Sequence, residues 1–260
     1  MLIEALGLQH SHLISLCGAG GKTTLMFTLA REFVARGERV LVTTTTKIAR
    51  DEADGWPAFA ATSAEQMLEH ARRLFPESAP ASSGAVIAYS AVGGDGYRLV
   101  GFAPELIDEV ARSGRFDRTL VEADGSARKP LKAPAAHEPV IPSATDALVI
   151  VAGVSGLGVP LTEENLFRAE IWSRLSGLAL GSPITAESLA RCLAHPDGLA
   201  RGCPARARTA LFLNQADTPP RRAEAKRVAQ YLAAAPANPV ARVVIGSLLP
   251  QPEIIEVVSF

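Results

Sequence analysis

Apolar residues along this chain fall into two alternating patterns. Short, nearly unbroken apolar runs occur at 13–17, 39–44, 118–122, 147–152, 209–213 and 240–245. Runs of that kind suit parallel strands covered on both faces. Between them, apolar residues recur at helical spacing. Residues 22–36 place Leu25, Leu29, Phe33 and Val34 on one stripe, and Gly37 supplies the stop. Ser63 is a natural N-cap for a helix running to Phe75. Further helices are expected at 104–112, 163–175, 186–193 and 221–234. Residues 85–89 and 97–102 flank Gly-Gly-Asp-Gly and read as a β-hairpin. The alternation predicts a three-layer α/β fold: a mostly parallel sheet with an antiparallel hairpin at one edge. No linker divides the chain, so residues 1–260 are expected to form a single domain.

Composition narrows the function. The 260 residues carry a formal net charge of −1, with 48% hydrophobic and 20% charged residues. No global basic field exists for gripping nucleic acid. No apolar run approaches the roughly 20 residues of a membrane span, and no secretory leader is apparent. Cys17, Cys192 and Cys203 are an odd set without C-x-x-C spacing. Free thiols in a reducing cytoplasm are expected, without a zinc site.

The strongest chemical signal joins the first strand to the first long helix. Leu13-Ile-Ser-Leu-Cys is followed by Gly18-Ala19-Gly20-Gly21-Lys22-Thr23-Thr24. Strand, glycine-dense turn and helix make the layout of a phosphate-binding loop. The glycines let backbone N–H groups close around an anion, and the helix N-terminus adds partial positive charge. Lys22 is placed to reach β- and γ-phosphates, and the Thr23 hydroxyl to ligate Mg²⁺. The first glycine of the usual G-x-x-x-x-G-K-[ST] spacing is replaced by Leu16. A P-loop NTPase-like fold that binds ATP or GTP with Mg²⁺ is the expectation.

Other segments fit around that loop. Thr43 to Thr46 and Lys47 follow the second strand, where ligands of open α/β sheets sit. Thr43 and Thr44 suit β-structure as such, whereas Thr45 and Thr46 lie beyond the apolar run, and Thr46 is a candidate metal contact. Leu120-Val-Glu122-Ala-Asp124 is an apolar strand ending in two acids. One would hold Mg²⁺ and the other orient the attacking water, in either assignment. Lys22, Glu122 and Asp124 are thus the candidate catalytic residues. Arg128, Lys129 and Lys132 suit an anionic ligand or a solvated loop, and His137 and Glu138 follow in a segment with four prolines. Leu213-Asn214-Gln215-Ala-Asp217 approaches the N-K-x-D pattern that reads guanine. Asn214 and Asp217 are candidates for holding the base. Gln215 stands where a lysine usually packs on the ring, which leaves ATP and GTP both open.

Taken together, these segments resemble the YqeC-type selenium-dependent hydroxylase accessory proteins. The likeness rests on the Gly18 loop, Val42-Thr-Thr-Thr-Thr-Lys-Ile, and the long stretch from Val121-Glu-Ala-Asp-Gly through His137-Glu-Pro. It continues in Phe167-Arg-Ala-Glu, His195-Pro-Asp-Gly and the Asn214 segment. It implies a P-loop NTPase that assists maturation of selenium-dependent molybdenum hydroxylases, with such an enzyme or its cofactor-maturation proteins as partners. The G-x-G-G-K-T-T loop is also similar to that of Mur-type ligases, which activate carboxylates with ATP. A ligase, a small-molecule kinase and a non-hydrolytic, nucleotide-gated cofactor carrier are the alternatives.

Overall fold

A computed structural model describes residues 1–50, 55–76, 83–94 and 96–260. Its centre is a nine-stranded sheet in the order β14-β13-β12-β10-β1-β8-β2-β5-β4. The first strand, β1 (Leu13–Gly18), lies in the middle, parallel to β8 (Arg118–Glu122) on one side and β10 (Ala147–Gly153) on the other. β2 (Arg39–Thr44) and β5 (Gly84–Tyr89) continue one wing, ending in β4 (Ala58–Ala60). β12 (Arg208–Asn214) and β13 (Arg242–Ser247) continue the other, ending in β14 (Glu253–Ser259), which is antiparallel to β13.

Strand residues alternate between the two faces. Ile14, Leu16, Val40, Val42, Leu120, Val149, Val151 and Phe212 pack beneath α1 (Leu2–Leu6) and α2 (Lys22–Val34). On the opposite face, Leu41, Val86 and Val121 pack against α3 (Ala64–Leu74) and α4 (Pro104–Arg112). Leu148, Ile150, Leu211 and Val243 meet α5 (Ala169–Ser176), α6 (Ala186–Ala194) and α7 (Pro219–Ala234) on that same face. The expected three-layer α/β arrangement with a mostly parallel sheet is the one observed. Among the described residues, no helix is long and apolar enough to cross a membrane.

Several local readings are corrected. The hairpin does not edge the main sheet. Residues 85–89 fall within β5, inside the parallel array. The antiparallel turn instead joins β6 (Ala91–Val92) to β7 (Arg98–Val100), which also pairs with β3 (Lys47–Ala49) in a separate three-stranded sheet. Asp95 of the turn and residues 77–82, between the helix read as ending at Phe75 and β5, lie outside the described residues. The antiparallel edge of the main sheet is β14, which no apolar run announced.

The helix expected at 163–175 starts six residues late. Leu166–Phe167 form a short strand, β11, against β9 (Leu131–Lys132). The Glu163 carboxylate then accepts from the Arg168 and Ala169 amides, at 3.0 and 2.6 Å, as α5 begins. The acid read as helical is the donor-satisfying group at the helix entrance.

Candidate phosphate-loop site

β1 runs straight into the loop, and the loop's shape requires its glycines. Gly18, Gly20 and Gly21 have φ of 98°, 83° and 127°, which side-chain-bearing residues rarely adopt. Neighbouring backbone also fills the space. A Cβ on Gly18 would lie 2.2 Å from the Val151 carbonyl oxygen, and one on Gly20 2.5 Å from the Gly153 nitrogen. α2 starts after Gly21 with no side chain capping its N-terminus.

Behind the loop lies a chain of buried opposite charges. The Asp124 carboxylate is fully buried and accepts from the Gly18 amide through both oxygens, at 3.1 and 3.0 Å. Lys22 Nζ donates to the Gly18 carbonyl at 2.8 Å, 3.4 Å from Asp124 and 3.7 Å from Glu122. Burial pulls the Lys22 pKa down, but the Asp124 and Glu122 charges override it and raise it above the usual lysine value. Lys132 Nζ, also buried, bridges Asp124 at 2.9 Å and Glu138 at 2.6 Å. Arg168 completes the chain on Glu138. Burial pushes the Glu138 carboxyl up, yet the hydrogen bonds from Arg168 and Lys132 hold it at about 2.

Glu122 differs from Asp124 in what it faces. Thr23 Oγ1 donates to Glu122 Oε2 at 2.8 Å, and both residues line a cavity of about 960 Å³. Residues 45–47 and 125–128 form further walls, with His137, Glu138, Phe167 and Arg168. Tyr97 and Arg98 enter from β7 and its approach. Among the described residues no group of three or more His, Cys, Asp or Glu side chains makes a ready metal cage. One hydroxyl and one carboxylate at an open cavity suit Mg²⁺, which takes few protein ligands and completes its shell with phosphate oxygens and water.

The threonine run divides by role. Thr43 Oγ1 donates to the Ala88 carbonyl, and Thr44 Oγ1 to the Glu122 carbonyl, so both tie neighbouring strands. Thr45 Oγ1 donates to the Val140 carbonyl. Thr46 faces the cavity, its amide donating to Thr44 Oγ1. Thr24 is exposed on the first turn of α2.

Asn214 and Asp217 are drawn apart. Asn214 Nδ2 donates to the Gly20 carbonyl at 2.7 Å, and its Oδ1 accepts from the Leu248 amide at 3.1 Å. It braces the loop. Asp217 points outward and pairs with Arg221 one turn on. Gln215 takes a left-handed backbone and accepts from Ser155 Oγ through its Oε1. Cys17 is buried below the loop, where desolvation and the Asp124 charge raise its pKa well above the usual thiol value. A thiol so placed is inert.

The model of the YqeC protein family matches residues 14–170, which contain the loop, the acidic strand and all of the described cavity wall. The chain belongs to the YqeC family. A relative from Escherichia coli (strain K12), described as uncharacterized protein YqeC, is 34% identical over 215 residues, covering 82% of this chain and 80% of its own. Two solved structures show weaker likeness. The signal recognition particle receptor FtsY from Elizabethkingia anophelis is 14% identical with a TM-score of 0.39, over 94% of this chain and 61% of its own. FtsY from Mycoplasma mycoides is 12% identical with a TM-score of 0.41, over 95% and 65%. The chain spans less than two thirds of the length of either.

In this YqeC-family site, sequence reasoning missed Tyr97, Arg98, Phe167 and Arg168 as cavity residues. The sequence pattern puts Tyr97 and Arg98 in an edge hairpin, and Arg168 inside a helix. Of the loop cations, Arg128 lines the cavity, Lys132 is buried behind it, and Lys129 turns to the Glu164 carbonyl. Among the described residues, four non-glycine residues have left-handed backbone, and three of them line this cavity: Ala127, Arg128 and Arg168, at φ of 48°, 58° and 68°. Each such residue costs about 1–3 kcal/mol and persists where its surroundings enforce it.

Proposed function

We propose that this chain binds a nucleoside triphosphate at residues 18–24 with Mg²⁺ beside Thr23, and acts on the γ-phosphate. The observation that carries the reading is the Thr23–Glu122 hydrogen bond at the mouth of the cavity, next to Lys22. A hydroxyl at the start of the helix, a carboxylate at the end of the neighbouring strand and a buried ammonium match the demands of a Mg²⁺–polyphosphate. Bound Mg²⁺ would neutralise phosphate charge, held by Thr23 and Glu122, with Thr46 within the same wall.

The chain's own residues supply the rest. Gly18, Ala19, Gly20 and Gly21 present backbone amides, and the uncapped start of α2, with Thr23 and Thr24 in its first turn, adds its dipole. Lys22 stays charged because two acids flank it. Asp124 serves as the loop's anchor and Glu122 as the metal-side acid. Asn214 holds the loop from the other side, and Asp217, which is paired with Arg221, is the candidate for meeting a base. Water attack on the γ-phosphorus is then helped by positioning and charge neutralisation. Neither the family's description nor the relative's carries a selenium or molybdenum role.

Titration calorimetry with ATP, GTP and non-hydrolysable analogues in Mg²⁺ tests the reading. The wild-type chain should bind at least one triphosphate, and Lys22→Ala should weaken it roughly a hundredfold, as for a lost charge-assisted contact. Equal affinity in the two proteins refutes the site. A thermal-shift panel of the same nucleotides ranks the bases, since a ligand of the native state alone raises Tm.

A further inference from the structure

Two ammonium groups share one buried carboxylate. Asp124 is fully buried, and its oxygens meet Lys22 Nζ at 3.4 Å and Lys132 Nζ at 2.9 Å. The two lysines are held unequally. An ammonium group has three donors, and Lys132 has three short contacts for them: Asp124 at 2.9 Å, Glu138 at 2.6 Å and the Gly125 carbonyl at 2.6 Å. Lys22 has one short bond, to the Gly18 carbonyl at 2.8 Å, and its two acids stand further off, at 3.4 and 3.7 Å. Lys132 is therefore fixed, and Lys22 is the one with contacts to exchange.

Exchange is what phosphate binding asks of Lys22. To meet β- and γ-phosphates its ammonium group must trade carboxylate oxygens for phosphate oxygens. That trade takes a cation away from Asp124, and a buried carboxylate left without one is strongly unfavourable. With Lys132 in place, Asp124 keeps a cation at 2.9 Å and goes on accepting the Gly18 amide, so the loop holds its shape. The neighbouring acids are provided for as well. Glu122 accepts from the Thr23 hydroxyl and faces the Mg²⁺ position, and Glu138 keeps Arg168.

We propose that Lys132 is a positioning residue for the phosphate loop: it holds the charge of Asp124, so that Lys22 can leave that carboxylate for the phosphates of a nucleoside triphosphate. The proposal rests on the triphosphate reading and adds to it the reason for a second buried lysine. Lys132 is 1% exposed, with its donors committed to protein oxygens, so it acts through Asp124 and Lys22 and does not grip the nucleotide itself.

The test is a calorimetric titration of the whole chain with Mg²⁺ and non-hydrolysable ATP and GTP analogues. Lys132→Met fills the space of the lysine stem without its charge, and it should weaken the triphosphate that the wild type binds roughly tenfold or more, the loss expected for one charge-assisted contact. Adding Asp124→Asn to Lys132→Met removes the charge that detains Lys22, and the double variant should bind roughly threefold or more tighter than Lys132→Met alone. If Lys132 only held the fold together, the second substitution would deepen the loss, because Asp124 also anchors the Gly18 amide. Lys132→Met affinity within about twofold of wild type, or a double variant no tighter than the single one, overturns the proposal and leaves the triphosphate reading intact. Should melting curves show that either variant fails to fold, the wild type decides by nuclear magnetic resonance of its ¹⁵N-labelled lysine ammonium groups, with Lys22 assigned by its loss in Lys22→Ala. Bound triphosphate should move the Lys22 signal and leave the other buried ammonium, Lys132, in place. An unmoved Lys22 signal, or a Lys132 shift as large, overturns it. A wild-type chain that binds no triphosphate removes both readings together.

Discussion

Removing the negative charge of Asp124 strands two buried ammonium groups. Lys22 would keep Glu122 at 3.7 Å, and Lys132 would keep Glu138, but each loses its contact with the carboxylate between them. The Gly18 amide loses a charged acceptor as well. Breaking a buried pair from one side costs about 3–5 kcal/mol. Asp124→Asn should therefore lower the urea-unfolding free energy by about 3 kcal/mol without any nucleotide present. A change below about 1 kcal/mol would show that Asp124 does not anchor the loop. Glu138 makes a related point about pH. Its folded pKa of about 2 lies below the ordinary value of 4.5. A depressed carboxylate contributes stability that is present above the unfolded pKa and fades as pH falls from about 4.5 towards 2. After allowance for solvent screening, the loss should be about 2 kcal/mol across that window. Glu138→Gln should flatten that part of the stability-against-pH curve, measured by urea unfolding at successive pH values. An unchanged slope would mean that Arg168 and Lys132 do not hold the charge.

At the scale of elements, what could be read in the sequence tracks burial. β1, β2, β8, β10, β12 and β13 are covered on both faces and appear as unbroken apolar runs, so pattern alone locates them. β14 has one neighbour and partly exposed residues, and its Glu-Ile-Ile-Glu-Val-Val alternation is too mixed to stand out. α1 has five residues, too few for a helical period to show. The segment around Glu163 misleads because an acid followed by spaced apolar residues fits a helix interior as well as a helix entrance. The same logic applies to the site. The phosphate loop, Thr23 and Glu122 are legible because the chemistry demands those residue types at a fixed spacing in one strand–loop–helix unit and on the next strand. Arg98 and Arg168 are not, because they reach the cavity only through the small sheet β3-β7-β6 and the β9–β11 pair. Those pairings join residues far apart in sequence and carry little apolar signal of their own.

For the whole molecule, connectivity makes one cooperative unit the expected behaviour. The sheet interleaves distant segments, with β1 hydrogen-bonded to both β8 and β10. The N-terminal α1 is tied to α2 by Glu32, whose carboxylate accepts from the Leu2 and Ile3 amides at 2.9 and 3.0 Å. It is tied to the far wing by Arg242, which donates to the Glu4 carbonyl at 3.0 Å. The two tryptophans report on opposite wings. Trp56 stacks on Phe27 at 5.6 Å, beside the cluster under α2, and Trp172 is fully buried among α5, α6 and the β10–β13 face. Fluorescence of the single-tryptophan variants Trp56→Phe and Trp172→Phe should therefore give coincident urea transitions, as two-state unfolding requires. Leu189→Ala sharpens the test, because Leu189 is fully buried in α6, far along the chain from Trp56. The cavity should cost about 2–5 kcal/mol. In a cooperative molecule that loss moves both midpoints to lower urea by the same amount. A shift seen by Trp172 while Trp56 keeps its midpoint would divide the chain into two units, and the central sheet would then be a contact surface between them instead of a shared core.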